Sequence, residues 1–286
     1  MTTLSIDNKT MQTQFVSQKK IHSSFLLLSA VLCSLIGSTT FAQPKSIDTN
    51  DLAKKLTNPV ASLISVPFQY NYDANIGLDK KGTSNSLVVQ PVIPLKLNSN
   101  WNYIVRPVMT FQSLNNVDGF SGTGAGPVVV ETFFSPNSSN GLIWGVGPVV
   151  STPALSGSNF GTSQTGVGVS AVGLIMKSPW TAGLLTYNTW SAGGSAVNGT
   201  ANNLYYQPFV AFVTPGAWTY SLNTQSTFNW DARRAENPLN ATVSKLVKIG
   251  EVPVSFQVGA RYYLSSVPGG PSGWGARASM TFIFPK

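Results

Sequence analysis

Residues that could do acid–base or nucleophilic chemistry are scarce in this sequence. Its 286 residues include one histidine, His22, and one cysteine, Cys33. A serine or cysteine nucleophile usually needs a histidine base, and zinc and copper sites take their main ligands from these two residue types. Both residues lie in an N-terminal stretch with the features of a removable leader. We therefore predict no catalytic residue, no metal site, no cofactor and no enzyme, although Ser-Lys and paired-carboxylate mechanisms stay open.

A second kind of chemistry is the recognition of charged solutes. Six charged residues lie in stretches that are expected to form strands, where every second side chain points to the same face. We predict that they line the interior of the fold: Lys96, Arg106, Glu131, Lys245, Arg261 and Arg277. They either form a mildly cationic interior that filters solutes or pair with one another in a closed interior, and the sequence leaves both interpretations open.

The elements that must position these residues are β-strands. In the last stretch, 274–284, aromatic and apolar residues alternate with polar ones that include Arg277, and the same period of two is clearest in 64–72. Strands of transmembrane β-barrels have this pattern, with apolar side chains toward lipid and polar side chains toward the lumen. The sequence therefore predicts an all-β fold, a transmembrane antiparallel up-and-down β-barrel of about 12 strands.

The predicted connections between strands differ in length at the two ends of the barrel. Short turns are expected at 98–100, 178–179, 214–217 and 250–251. Longer loops are expected at 74–83, 114–121, 153–162, 193–202, 231–239 and 265–273. This difference is typical of bacterial outer-membrane barrels, which have short periplasmic turns and longer extracellular loops.

Aromatic residues mark the edges of the predicted membrane-spanning region. Trp101, Trp180 and Trp218 each begin a strand directly after a short turn, and Trp274 and Phe284 stand at the two ends of the last strand. An indole suits the membrane interface because it is apolar and can still donate a hydrogen bond. We predict that these five side chains belong to interfacial aromatic girdles, with ordinary packing as the alternative.

The N-terminus predicts export. A pair of lysines precedes an apolar core at 25–36, and small residues follow up to Ala42. This arrangement is typical of a cleaved signal peptide, whereas a membrane anchor would need about 20 apolar residues. Lipoprotein cleavage at Cys33 is a weaker alternative. We expect residues 1–42 to be removed, and the mature protein to reside in the bacterial outer membrane.

The mature chain is expected to have two parts. Residues 43–61 form a polar N-terminal segment with a short helix at 48–56, which serves as a periplasmic stub, a plug of the barrel mouth or a linker. Residues 62–286 form the barrel. The expected partners are outer-membrane lipid, the barrel-assembly machinery during insertion and a small-molecule solute. Only 10% of the residues are charged and no basic run exceeds a pair, so a nucleic-acid partner is not expected.

Four stretches carry a resemblance to a known family: 52–72, 89–95, 101–107 and 282–286. They resemble the bacterial outer-membrane family called "MetA-pathway of phenol degradation", whose members are described as transporters and are sometimes mislabelled neuromedin U. The likeness covers most of the chain after the leader. It implies a barrel and a role in the uptake of aromatic or other hydrophobic compounds, and it supplies no active-site residue.

These observations together predict a passive outer-membrane channel or transporter for small solutes, with aromatic or hydrophobic compounds as the class that the resemblance suggests. Side chains can largely fill the interior of a barrel of this size, so slow or selective passage is expected. The alternative is a non-transporting barrel, structural or adhesive, that acts through its extracellular loops.

Overall fold

The computed structural model describes residues 48–137, 141–196 and 199–284, and its strands form one closed antiparallel sheet. Each strand pairs with its neighbours in sequence, and the last strand pairs with the first. The strands are β1 (Ile64–Ile76), β2 (Gly82–Val89), β3 (Ile93–Lys96), β4 (Trp101–Val117), β5 (Phe120–Pro136), β6 (Leu142–Ser151), β7 (Ser163–Lys177), β8 (Trp180–Ser195), β9 (Asn203–Val213), β10 (Trp218–Thr224), β11 (Ser226–Asn229), β12 (Arg234–Ile249), β13 (Val252–Ser265) and β14 (Gly273–Phe284).

These segments make a barrel of 12 strands, because two of the strands are interrupted. β2 and β3 both pair with β4, and between them lies Pro91, which lacks the N–H group that a ladder needs. β10 and β11 both pair with β9 and β12, and Gln225 separates them. The predicted fold class, an antiparallel up-and-down barrel of about 12 strands, is confirmed.

The strands place polar side chains inside the barrel and apolar side chains outside. In β1, Gln69, Asn71 and Asp73 are buried, whereas Tyr70 and Tyr72 between them are exposed. Paired residues share a face, so this alternation passes from strand to strand through the register. All seven tryptophans of the chain are exposed, from 36% for Trp101 to 67% for Trp274. The barrel is therefore apolar on the side that a water-soluble protein would make polar.

The two ends of the barrel differ as predicted, with two exceptions: the long loop predicted at 231–239 is a short connection because β12 begins at Arg234, and the one predicted at 114–121 is a two-residue turn. We call the end where β1 begins and β14 ends the near end, and the opposite end the far end. Near-end connections include 97–100, 178–179, 214–217 and 250–251, and far-end connections include 77–81, 152–162, 196–202, 230–233 and 266–272.

The long loop predicted at 114–121 is wrong. β4 and β5 continue through most of this range and are joined by Asp118 and Gly119 alone. Both residues have positive φ angles, 49° and 83°. This conformation suits a two-residue hairpin turn, which an Asp-Gly pair adopts readily. The β4–β5 hairpin therefore keeps its strand pairing up to the two-residue turn at the far end, and no long loop is present there.

A short helix, α1 (Thr49–Leu56), precedes the barrel and lies inside its near end. Asp48 caps the helix by accepting a hydrogen bond from the backbone N–H of Asn50 at 2.9 Å. Leu52 and Ala53 are buried and pack in one apolar cluster with inward-facing residues of β9, β12 and β14, which are Val213, Leu246 and Ile283. Among the described residues, no helix is long and apolar enough to cross a membrane.

The chain between α1 and β1 also lies inside the barrel. The Thr57 hydroxyl lies 2.8 Å from the Thr181 hydroxyl of β8. Val60 packs in a second apolar cluster with Ile104, Phe133, Val172, Leu174 and Leu185, which β4, β5, β7 and β8 contribute. Residues 49–63, which we call the plug segment, therefore fill much of the near mouth.

Candidate functional site

The interior of the barrel is the candidate functional site, and a buried ion pair lies near its middle. Arg106 of β4 stands directly opposite Glu131 of β5 in the register. The Arg106 Nη1 donates to both carboxylate oxygens of Glu131, at 2.9 and 2.8 Å, and Nη2 donates to Gln90 Oε1 at 2.6 Å. Both charged side chains are buried. The pair is thus electrically neutral, and the charge of Arg106 is not free to attract a solute.

Two further arginines meet elsewhere in the interior. Arg261 of β13 and Arg277 of β14 both donate to the Asn71 side-chain oxygen, at 2.7 and 2.8 Å. Arg261 also forms an ion pair with Asp73 at 3.0 Å, and Arg277 donates to Gln225 at 2.6 Å. Among the described residues, Arg277 has no carboxylate within ion-pair distance. Hydrogen bonds to neutral amides therefore hold it in place.

These contacts bear on the two interpretations that the sequence left open. Arg106 and Arg261 each have a carboxylate partner, as expected if the charges fill the interior in pairs. Among the inward-facing arginines of the described residues, Arg277 alone has no carboxylate within ion-pair distance. The described part of the interior is therefore mostly neutral.

A cavity of about 250 Å³, which we call the chamber, lies in the lumen beside these residues. The plug segment lines one side of it through Leu56, Asn58 and Leu63, and Gln90 and Arg106 line another. Its remaining wall is mainly polar and comes from inward-facing side chains of neighbouring strands: Ser65, Thr219, Ser221, Ser244, Ser255, Gln257 and Thr281. None of the described acidic residues lines the chamber.

Two of the six residues predicted to line the interior do not do so. Lys245 lies on the outer face of β12, opposite Trp218 in the register, and this prediction is wrong. Its ammonium group donates to the Gly216 carbonyl and lies 5.2 Å from the centre of the Trp218 ring. The physical reason is parity, because the inward positions of β12 are Thr242 and Ser244 and their neighbour must point outward.

Lys96 is the second correction. It lies at the near-end rim, exposed, at the end of β3 and opposite Asn102. The strand ends there, so the side chain reaches solvent and not the buried interior. The other four predicted residues, Arg106, Glu131, Arg261 and Arg277, are all buried inside the barrel.

The aromatic residues singled out by the sequence are exposed on the outside of the barrel. Trp101, Trp180 and Trp218 begin β4, β8 and β10 at the near end, and Phe284 ends β14 there. Trp274 stands at the far end, with its ring 4.9 Å from that of Tyr262. That these side chains form girdles in a membrane interface stays a prediction.

Sequence reasoning missed several side chains that complete these arrangements. Trp144 packs against Trp101 at 5.9 Å, and Trp190 and Trp230 stand together at the far end. Inside the barrel, the rings of Tyr187 and Tyr205 stack at 4.9 Å. Both tyrosines stand at odd-numbered positions of β8 and β9, which face inward, so strand alternation could have placed them inside. Aromatic residues fit the lipid side equally well, and residue type alone therefore did not decide their face.

Two residue types that commonly act as catalytic bases, nucleophiles and metal ligands are missing from the described residues. The sequence has no histidine or cysteine beyond His22 and Cys33, which lie outside the described residues. No group of three or more acidic, histidine or cysteine side chains in the described part of the chain could hold a metal ion. The signal peptide predicted at residues 1–42 also lies outside the described residues.

The fold is similar to that of solved outer-membrane proteins. The COG4313 outer membrane channel from Pseudomonas putida F1 matches with a TM-score of 0.59 and 12% sequence identity, over 78% of this chain and 96% of that chain. The outer membrane phospholipase dimer from Salmonella typhi matches at 0.48 and 13%, over 84% and 99%. The match to the channel shows a shared fold. The sequence matches no protein-family model and no curated protein.

Proposed function

We propose that this protein is a passive outer-membrane channel for small solutes. The observation that carries the proposal is the inverted barrel, which is apolar and aromatic outside and polar inside, with a chamber in its lumen. An exterior of this kind is stable against hydrocarbon, and closure of the sheet leaves no unpaired edge in the lipid. The lumen then offers the polar path across the membrane.

The location follows from the same features. A cleaved signal peptide at residues 1–42 would bring the chain to the periplasm, where the barrel-assembly machinery inserts barrels into outer-membrane lipid. The near end, with its short turns and both ends of the barrel sequence, corresponds to the periplasmic side. Residues 49–61 of the N-terminal segment would then act from the periplasmic side as part of the plug segment.

The solute class is narrower than the fold implies. The plug segment and the buried arginines leave a cavity of about 250 Å³, which favours slow passage of small molecules. The resemblance to the phenol-degradation family and the fold shared with a known channel support membership of that family, with aromatic or hydrophobic solutes. The polar chamber wall instead favours hydrogen-bonding solutes, and the small volume limits either class to small molecules.

Conductance in a planar lipid bilayer tests the proposal. We expect the purified full-length protein to show small, rare current steps, because the plug segment fills the near mouth. The variant Leu52→Asp should show larger or more frequent steps, since a buried carboxylate would expel α1 from its apolar cluster. Leu78→Asp, in an exposed far-end loop, is the matched control and should behave as the wild type.

A structural or adhesive barrel gives the opposite result. If neither the wild type nor Leu52→Asp conducts ions, and liposomes containing either protein do not swell with any small solute, the channel proposal is wrong. The absence of a histidine beyond His22 supports a role without catalysis.

A further inference from the structure

One wall of the chamber carries hydroxyl groups that have no hydrogen-bond partner among the described residues. Ser65, Thr219, Ser244 and Ser255 line the chamber, and these residues are only 7%, 9%, 9% and 9% exposed. None of these four hydroxyls makes a hydrogen bond to any described residue, and none is sealed from the chamber. A buried hydroxyl costs free energy unless water or a solute bonds to it.

These hydroxyl groups lie next to one another on adjacent strands of the chamber wall. Thr219 stands opposite Ser244, and Ser244 stands opposite Gln257, across β10, β12 and β13. Ser255 stands opposite Thr281, across β13 and β14. Gln257 and Thr281 also line the chamber and have no side-chain hydrogen bond to a described residue. Neighbouring strands are about 4.8 Å apart, so the free groups repeat at a spacing that several oxygens of one solute can span.

The plug-segment side of the chamber is mixed. Its apolar side chains include Ala53, Leu56 and Leu63, and Thr57 and Asn58 add polar groups. The buried charge in the chamber lining is Arg106, which Glu131 neutralises, and Lys55 lies exposed at the chamber. A solute that carries several hydroxyls beside C–H groups matches this lining of polar and apolar side chains and needs no net charge.

The volume sets the size of that solute. At about 30 Å³ for each water molecule, the chamber would hold on the order of eight waters. A polyol of five or six carbons could replace these waters and keep most of their hydrogen bonds. An aromatic hydrocarbon of similar size would leave the wall hydroxyls unpaired, which disfavours it.

We infer that the chamber is a binding site for a small, uncharged, polyhydroxylated solute, such as a polyol or a monosaccharide. The inference gives the proposed channel a substrate class, and it rests on the proposed function only in placing this site on a transport path. The binding site itself is a property of the folded barrel and can be measured without any flux.

Saturation-transfer NMR on the full-length protein in detergent micelles tests the site, with xylitol as the probe and empty micelles as background. We expect a saturable xylitol signal in the millimolar range. In Ser244→Ala/Ser255→Ala, the half-saturating concentration should rise roughly tenfold, about the effect of losing one or two neutral hydrogen bonds. Ser279→Ala is the matched control, since Ser279 faces inward on β14 outside the chamber lining and should leave binding unchanged.

A second variant guards against misfolding of the double alanine variant. Thr281→Val exchanges the hydroxyl for a methyl group of similar size and should raise the half-saturating concentration roughly threefold. The inference is overturned if xylitol gives no signal above empty micelles, or if the chamber variants bind it as the wild type does. It is also overturned if toluene or a small carboxylate, and not xylitol, shows the dependence on these residues.

The outcome is separable from that of the channel proposal. Xylitol binding that depends on Ser244 and Ser255, in a protein that does not conduct, would support the site and reject the channel. Conductance without such binding would support the channel and reject the site.

Discussion

Single residues inside the barrel are held by partners on neighbouring strands, and the Arg106–Glu131 pair shows what this implies. Both side chains are buried, and the carboxylate receives both of its hydrogen bonds from Arg106. Taking two charges out of water is costly, so the pair contributes little net stability while it is intact. Removing only one of the two charges should be strongly destabilising, because the remaining charge would be buried without a counter-charge.

The first prediction concerns that asymmetry. Glu131→Gln should lower the free energy of unfolding by about 3–5 kcal/mol, because the guanidinium of Arg106 would stay buried with neutral partners alone. The double variant Arg106→Met/Glu131→Met should recover most of the loss. Urea unfolding in lipid vesicles measures both. Equal stability of Glu131→Gln and the wild type would show that water or another group already solvates this arginine.

At the scale of elements, close backbone contact between strands depends on glycine at a few positions. A Cβ atom added to Gly168 of β7 would collide with the Asn188 carbonyl group of β8. A Cβ atom at Gly173, on the same strand, would meet no atom within 4 Å. The two positions form a natural matched pair.

The second prediction is that Gly168→Ala destabilises the barrel and Gly173→Ala does not. We expect a loss of about 1–3 kcal/mol for Gly168→Ala, the usual cost of overpacking, because β7 and β8 must move apart. Gly173→Ala should change the free energy of unfolding by about 0.5 kcal/mol or less. The same urea titration measures both variants. If both lose the same free energy of unfolding, the close contact of Gly168 with Asn188 is not what limits the strand packing.

The plug segment is the other element whose behaviour can be tested. α1 is anchored mainly by the apolar contacts of Leu52 and Ala53, so it should leave the mouth without unfolding the strands.

The third prediction is therefore that Leu52→Asp makes the bond after Lys54 or Lys55 at least tenfold more sensitive to trypsin, while the barrel stays intact. Trypsin should cleave the Leu78→Asp variant at the wild-type rate, because Leu78 lies in a far-end loop away from α1. Gel analysis of the fragments over time gives the rates. Simultaneous digestion of the barrel would mean that the plug segment and the strands unfold together.

At the scale of the whole molecule, the barrel has apolar side chains outside and polar side chains inside. This distribution gives the fourth prediction. Val258 lies on the outer face of β13 and is 59% exposed, and Leu78, in a loop, is 77% exposed. In water, an arginine would be tolerated at either site. In a bilayer, Val258→Arg should cost about 2–4 kcal/mol, because the charge enters hydrocarbon, whereas Leu78→Arg should be nearly neutral.

Folding of the two arginine variants into lipid vesicles, measured by urea titration, provides the comparison. A neutral Val258→Arg would contradict the placement of this surface in the membrane. Recovery of either variant as soluble protein in the periplasmic wash would also contradict this placement.

The sequence by itself determined the class of the fold, because the period of two is a local property that each strand displays in its own side chains. It therefore predicted the barrel and the inward positions of Arg106, Arg261 and Arg277, which the structure places there. Where alternation was weak, as around Lys245, the prediction was wrong, since a shift of one residue reverses the face.

Only the tertiary structure decided which inward side chains meet. The partners Arg106 and Glu131 lie on different strands, and Arg261 contacts Asn71 from the other end of the chain. Register, shear and closure bring them together, and these are set by the whole sheet. The same holds for the plug segment and the free hydroxyls of the chamber. Their positions follow from closing the ring, because no single stretch of sequence encodes a distance across it.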